Sequence, residues 1–352
     1  MDKQKYVDNL INELVSQDGS DIHLGEGRKP AFRINGQLIF LSSQEMLTRD
    51  DMIDILNILM GKDNTKKFLE EKDADFSYSH KDIHHLRCNS FVERGNLCLS
   101  IRLIPKAKSF DDLNLPKILE TFAIKKQGFF LVVGPVGQGK STTLSTMINF
   151  INTNATQHIV TIEDPIEFVY TTDKSIIDQR EVGIDTKDFE GALSSILRED
   201  VNVILIGEMR STETMAAAVT AAETGHLVLS TLHTNNAAQT IDRIIDSFPS
   251  HQQDQIRLQL ASSLLGIFSQ RLVPRITGGR IPAYELLINN NAVANLIREK
   301  RTQEINTVIE TSSEIGMIDM NRSLVELVTG GQITLETAYQ YSLNPQALER
   351  LL

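Results

Sequence analysis

Residues Gly134-Pro135-Val136-Gly137-Gln138-Gly139-Lys140-Ser141 have the spacing G-x-x-x-x-G-K-[ST], with further hydroxyls at Thr142 and Thr143. These residue types in this order suit one task, the holding of a polyphosphate. Glycines let successive backbone N–H groups turn inward around the phosphates, and a helix starting at the end of the loop adds positive potential. Lys140 would reach the β- and γ-phosphates, and the Ser141 hydroxyl would sit on Mg²⁺. A glycine turn between a strand and a helix would share the glycines but would require neither the lysine nor the hydroxyls. No Asn-Lys-x-Asp run selects guanine, so ATP with Mg²⁺ is the expected ligand of the stretch Gly134 to Thr142.

A phosphate loop by itself does not separate a motor from a kinase. Three further segments add chemistry. Thr161-Ile162-Glu163-Asp164-Pro165-Ile166-Glu167 is a carboxylate cluster at a strand end. Its Glu163 is assigned to the catalytic centre and, through a water, to Mg²⁺. The apolar run Val201 to Ile206 leads into Gly207-Glu208, like a Walker B strand with Gly207 where the magnesium aspartate usually stands. Glu208 is then placed to orient or deprotonate the attacking water. The run Leu227 to Leu232 delivers His233-Thr234-Asn235, where an imidazole could sense the γ-phosphate. Each segment also has a plainer reading, since acidic strand ends serve as caps of the next helix and lone histidines are commonly structural. His226 stands evenly between the two, and His80, His84 and His85 read as a hairpin surface.

These residues need a scaffold that brings strand ends together. Phe129 to Val133 reads as the strand before the loop, and Lys140 to Phe150 as the helix after it. Strands are expected at 129–133, 158–163, 201–206 and 227–232, alternating with helices near 140–151, 188–199, 212–223 and 235–247. That alternation signals a parallel sheet, whose carboxyl edge is where ligands bind. A long amphipathic helix over 252–271, a strand at 281–288 and a helical tail from Asn291 complete this part. Residues 1–104 read differently, as a small α+β unit. It has a helix over Tyr6 to Ser16, short strands at 22–24, 31–34 and 38–41 with a hairpin turn at Asn35-Gly36, and helices near 49–60 and 66–71. Phe76 to Tyr78 and two longer strands, His85 to Val92 and Leu97 to Ile104, complete it. Residues 105–118, bounded by prolines and polar at Lys106 to Ser109, read as a linker.

At 352 residues the chain is long enough for two domains. Its net charge of −11 lacks the basic stripe that nucleic acid needs, so no nucleic-acid partner is expected. No apolar run approaches the ~18 residues of a membrane span. The charged start, Met1 to Tyr6, lacks the apolar core of a signal peptide. Two cysteines, Cys88 and Cys98, are too few for a disulfide framework or a four-cysteine zinc site. A cytoplasmic protein is the expectation.

In combination, the phosphate loop, Thr-Ile-Glu-Asp-Pro-Ile-Glu-Phe (161–168), Ile-Gly-Glu-Met-Arg (206–210), Ala-Ala-Glu-Thr-Gly-His (221–226) and Thr-Leu-His-Thr-Asn (231–235) resemble the type II/IV secretion ATPase superfamily. Those segments match its Walker A, aspartate, Walker B and histidine boxes, over essentially the whole chain. Gly19 to Leu24 and Asn295-Leu296-Ile297-Arg298-Glu299 look like the PilT-type pilus retraction ATPases. The resemblance implies a PAS-like domain over 1–104, a RecA-like motor domain over 119–352 and a ring-shaped homohexamer. It also implies that Arg87 and Arg102 match arginines that reach the phosphates, although strand-surface ion pairing would account for them as well. A cytoplasmic motor at the inner face of the membrane is implied, with an inner-membrane platform protein and other pilus ATPases as partners. Val201-Asn202 and Ser211 depart from the family's usual residues, and Ala294 stands where retraction ATPases usually have arginine. Pilus assembly, type II secretion or an accessory retraction role remain alternatives. A phosphotransferase would need an acceptor pocket and lid, and a non-hydrolysing ring partner would not need Lys140 and Glu208.

Overall fold

The computed structural model describes residues 2–34, 36–81 and 84–352. They form two compact units, Met1–Lys106 and Ala107–Leu352. The first begins with α1 (Lys3–Ser16), whose N-terminus is capped by the Asp2 carboxylate accepting from Gln4 and Lys5 N–H groups. Then come β1 (Gly19–Gly25), β2 (Ala31–Ile34), β3 (Gln37–Phe40), α2 (Arg49–Met60), α3 (Lys62–Glu71), β4 (Asp73–His80), β5 (His84–Glu93) and β6 (Asn96–Leu103). The strands make one antiparallel sheet in the order β3-β2-β1-β6-β5-β4. The hairpin turn expected at Asn35-Gly36 falls partly outside the described residues, because Asn35 does. Alternation along the strands sends Ile22, Leu24, Leu86, Cys88, Leu99 and Ile101 into the core with Leu10, Ile11, Leu14, Ile55 and Leu56 of the helices. The intervening Asp21, Arg87 and Arg102 lie on the opposite face. His80 is a correction: it is buried, with Nδ1 3.6 Å from the Asp8 carboxylate, and is not part of a hairpin surface.

The second unit runs α4 (Ile118–Ala123), β7 (Gly128–Val133), α5 (Lys140–Asn154), β8 (His158–Glu163), β9 (Ile176–Glu181), α6 (Phe189–Ile196), β10 (Val203–Ile206), α7 (Thr212–Glu223), β11 (Leu227–Leu232) and α8 (Ala237–Asp246). It continues through α9 (Ser250–Ser263), β12 (Leu264–Pro274), β13 (Arg280–Ile288), α10 (Asn291–Arg298), α11 (Ile305–Thr311), α12 (Met320–Thr329), α13 (Leu335–Tyr341) and α14 (Pro345–Glu349). The sheet order is β13-β12-β7-β11-β10-β8-β9, parallel except for the antiparallel pair β12–β13. Every residue of β7, β10 and β11 is buried, as expected for strands covered on both faces by helices. Phe110 and Leu115 are buried in the core of this unit beside Leu119 and Phe122, so the polar start of the 105–118 segment gives way to anchored chain.

Two elements differ from the sequence expectation. The helix expected over 252–271 ends at Ser263, and Leu264–Pro274 is a strand. Ile256, Leu260, Leu264 and Ile267 keep a helical spacing across that boundary, and a strand buried on both faces shows no alternation to oppose it. Gly266 is the signal against a helix. A Cβ there would stand 2.7 Å from the Leu287 carbonyl oxygen, so the site demands close strand approach. Strand β9 has no counterpart in the sequence reading, because it is a sheet edge whose Asp178, Gln179 and Arg180 give no apolar run. Among the described residues no helix is long and apolar enough to cross a membrane.

Candidate nucleotide site

The strand order sets β7, β11, β10 and β8 side by side, so their carboxyl ends converge. From β7 the chain enters the loop Gly134 to Gly139, and α5 begins at Lys140. Gly137 and Gly139 adopt φ of +76° and +77°, a region costly for residues with a Cβ. A cavity of about 510 Å³ opens at this edge, a volume within the range of small-molecule sites. Val136, Gly137, Gln138, Gly139, Lys140, Ser141 and Thr142 line one side of it. Glu163, Glu167, Gly207, Glu208 and His233 line the other.

Lys140 is buried, and its Nζ donates to the carbonyls of Gly134 and Pro135, each at 2.9 Å. It also stands 3.2 Å from His233 Nδ1. Burial lowers the lysine pKa, and the carboxylates of Glu167 and Glu208 work against that shift. For His233, burial and then the Lys140 charge lower the pKa, opposed by Glu208. The imidazole is therefore neutral near pH 7. With Nδ1 accepting from the ammonium, the ring proton is assigned to Nε2, 3.7 Å from a Glu208 oxygen. Glu208 is also ion-paired with Arg210. Glu163 is buried at the end of β8, and burial pushes its carboxyl up to about 7. Hydrogen bonds from the Thr161 hydroxyl at 2.8 Å and the Glu167 N–H at 3.4 Å pull the other way.

The structure thus brings together Gly134 to Thr142, Glu163, Glu208 and His233. Arg87 and Arg102 belong to the first unit, where they are register partners on β5 and β6. Arg102 Nε donates to Asp21 at 2.8 Å. Burial raises the Asp21 pKa, but hydrogen bonds from Ser20 and Arg102 outweigh it and hold the carboxyl below its ordinary value. His226 takes the structural role: its ring Nδ1 lies 3.0 Å from the Ala221 carbonyl at the end of α7. Sequence reasoning missed Thr231, Arg280 and Tyr170 as lining residues and Gln270 beneath the loop. Arg280 and Gln270 lie on the hairpin of β12 and β13, half of which was read as helix.

A family described as Type II/IV secretion system protein matches residues 2–280. The chain belongs to that family. Among curated proteins the chain is similar to a twitching motility protein of Neisseria gonorrhoeae, 42% identical over 321 residues, which are 91% of this chain and 86% of that one. The type IV pilus retraction ATPase PilT of Pseudomonas aeruginosa is 38% identical over 341 residues, 97% of this chain and 99% of that protein. A crystal structure of the pilus retraction motor PilT with bound ADP superposes with a TM-score of 0.90 at 45% identity, covering 98% of this chain and 99% of that one. These full-length likenesses include the first unit as well as the phosphate-loop unit.

Proposed function

We propose that this protein is an ATP-hydrolysing motor that powers retraction of a type IV pilus. One observation carries the reading: Lys140, Glu208, His233 and Glu163 converge on one cavity, in a chain alike over its whole length to pilus retraction motors. Backbone N–H groups of Gly137 to Lys140 hold the phosphates, and Lys140 turns its ammonium from the loop carbonyls to the γ-phosphate. Glu208 orients the attacking water and accepts its proton. The Nε2–H of His233, between Lys140 and Glu208, reports on the γ-phosphate. The cavity also fits Mg²⁺, because Ser141 and Glu163 offer hard oxygen donors on its lining. Ser141 would hold the ion directly and Glu163 through a water; the ion supplies neutralisation of phosphate charge.

The active form is a homohexamer in which Arg87 and Arg102 complete the site by bridging phosphate oxygens with their planar forks. The ring works in the cytoplasm at the inner face of the membrane, on a platform protein and alongside other pilus ATPases. Deleting the gene tests direction. Cells should carry more surface pili and lose twitching. Cells without pili would make the protein an assembly motor, and unchanged twitching with weaker pulling force would make it an accessory one.

A further inference from the structure

Strand β12 runs on past the point where its parallel partner stops. Its pairing with β7 ends at Ser269 opposite Val133, where β7 passes into the phosphate loop, while β12 continues to Pro274. Side chains alternate along a strand, so successive residues of this extension face opposite sides of the sheet. Each side grips a different loop. On one side Gln270 is buried, its Oε1 accepting from the Thr143 hydroxyl at 2.6 Å and its Nε2 donating to the Gln138 carbonyl at 2.7 Å. The Gln138 side chain reciprocates, its Oε1 accepting from the Leu272 N–H at 2.7 Å. The loop lies flush on the strand here, since a Cβ on Gly134 would come within 2.4 Å of the Gln270 carbonyl oxygen. On the other side the Ser269 hydroxyl donates to the Asn235 carbonyl at 2.9 Å, two residues beyond His233. The two gripped loops meet where Lys140 Nζ stands 3.2 Å from His233 Nδ1.

We infer that Gln270 and Ser269 are positioning residues that hold Lys140 and His233 in mutual register from opposite faces of β12. The inference rests on the ATPase reading of this cavity. Neither side chain lines the cavity, and neither is an acid or base, so both act through the loops they hold. Their effects should differ in kind. Gln270 shapes a loop that binds phosphates in ground and transition states alike, so its loss acts on affinity. Ser269 places the imidazole beside Glu208 and the attacking water, so its loss acts on turnover.

Steady-state ATP hydrolysis and binding of a fluorescent ADP, both on the full chain, separate these effects. Gln270→Ala should raise KM and the ADP Kd about tenfold with kcat changed less, the scale of its two lost side-chain hydrogen bonds. Gln270→Met keeps the volume but neither accepts from Thr143 nor donates to Gln138, and should show the same loss should the alanine variant fail to fold. Ser269→Ala should lower kcat about tenfold with ADP binding unchanged, and Ser269→Thr, which keeps the hydroxyl, should restore it. Variants with wild-type KM and kcat would overturn the inference. So would a raised KM and a lowered kcat appearing together with a lowered Tm, the mark of a merely structural role. A wild-type protein that neither binds the ADP probe nor hydrolyses ATP would instead sink the ATPase reading.

Discussion

Glu285 offers the sharpest test of the electrostatics of this unit. It lies on β13, buried, and accepts a hydrogen bond from the Ala237 N–H at 2.8 Å at the start of α8. Burial pushes its carboxyl from 4.5 up to about 7, with the Ala237 bond opposing and the Asp319 charge reinforcing the shift. Between those values the native state holds more protons than the unfolded chain. The contribution to stability is therefore complete below pH 4.5 and is lost as the pH rises through 7. With these values, ionisation of Glu285 costs about 1 kcal/mol at pH 5.5 and about 3 kcal/mol at pH 8. Glu285→Gln keeps an acceptor for Ala237 and removes the ionisation. Relative to wild type it should gain about 2 kcal/mol of stability between pH 5.5 and pH 8, whatever constant offset the amide adds. Glu163 carries a similar shift in both proteins, so its effect cancels in the difference. The chain has no tryptophan, which makes urea unfolding followed by far-UV circular dichroism the suitable assay. A stability difference independent of pH would refute the reasoning.

Lys140→Ala should abolish ATP turnover in a folded protein, and Glu208→Gln should keep nucleotide affinity while losing hydrolysis, as checked by phosphate release and ADP binding. Full activity in folded Lys140→Ala, or lost affinity in Glu208→Gln, would count against the assigned roles. Arg87→Ala and Arg102→Ala should each cut hydrolysis strongly. Of the two, Arg102→Ala should also lower stability by about 1 kcal/mol, because buried Asp21 loses its closest cation, whereas exposed Arg87 has no such partner among the described residues. Thermal melts and kinetics on both variants check this. Light scattering should give a hexamer, and a fully active monomer would overturn the shared site.

The sequence by itself determined the chemistry. A phosphate loop needs fixed residues at fixed spacing because its ligand is met by consecutive backbone groups, so Gly134 to Ser141 declares itself without any fold. The apolar strands before the loop, before Glu208 and before His233 were legible for a related reason: strands buried on both faces must be continuously apolar. Tertiary structure decided what depends on residues far apart in the chain. That β7, β11, β10 and β8 are neighbours, and so that Lys140 meets His233 and His233 faces Glu208, is a matter of strand order, which no local pattern encodes. The identity of β12 was decided there too. Its apolar spacing fits a helix as well as a buried strand, and the choice is resolved by pairing with β7 and β13 on either side, where Gly266 permits the close approach. Gln270 was invisible for the same reason. Its importance lies in reaching Gln138 and Thr143, more than a hundred positions earlier in the chain, and an amide becomes significant only once burial makes each of its hydrogen bonds obligatory.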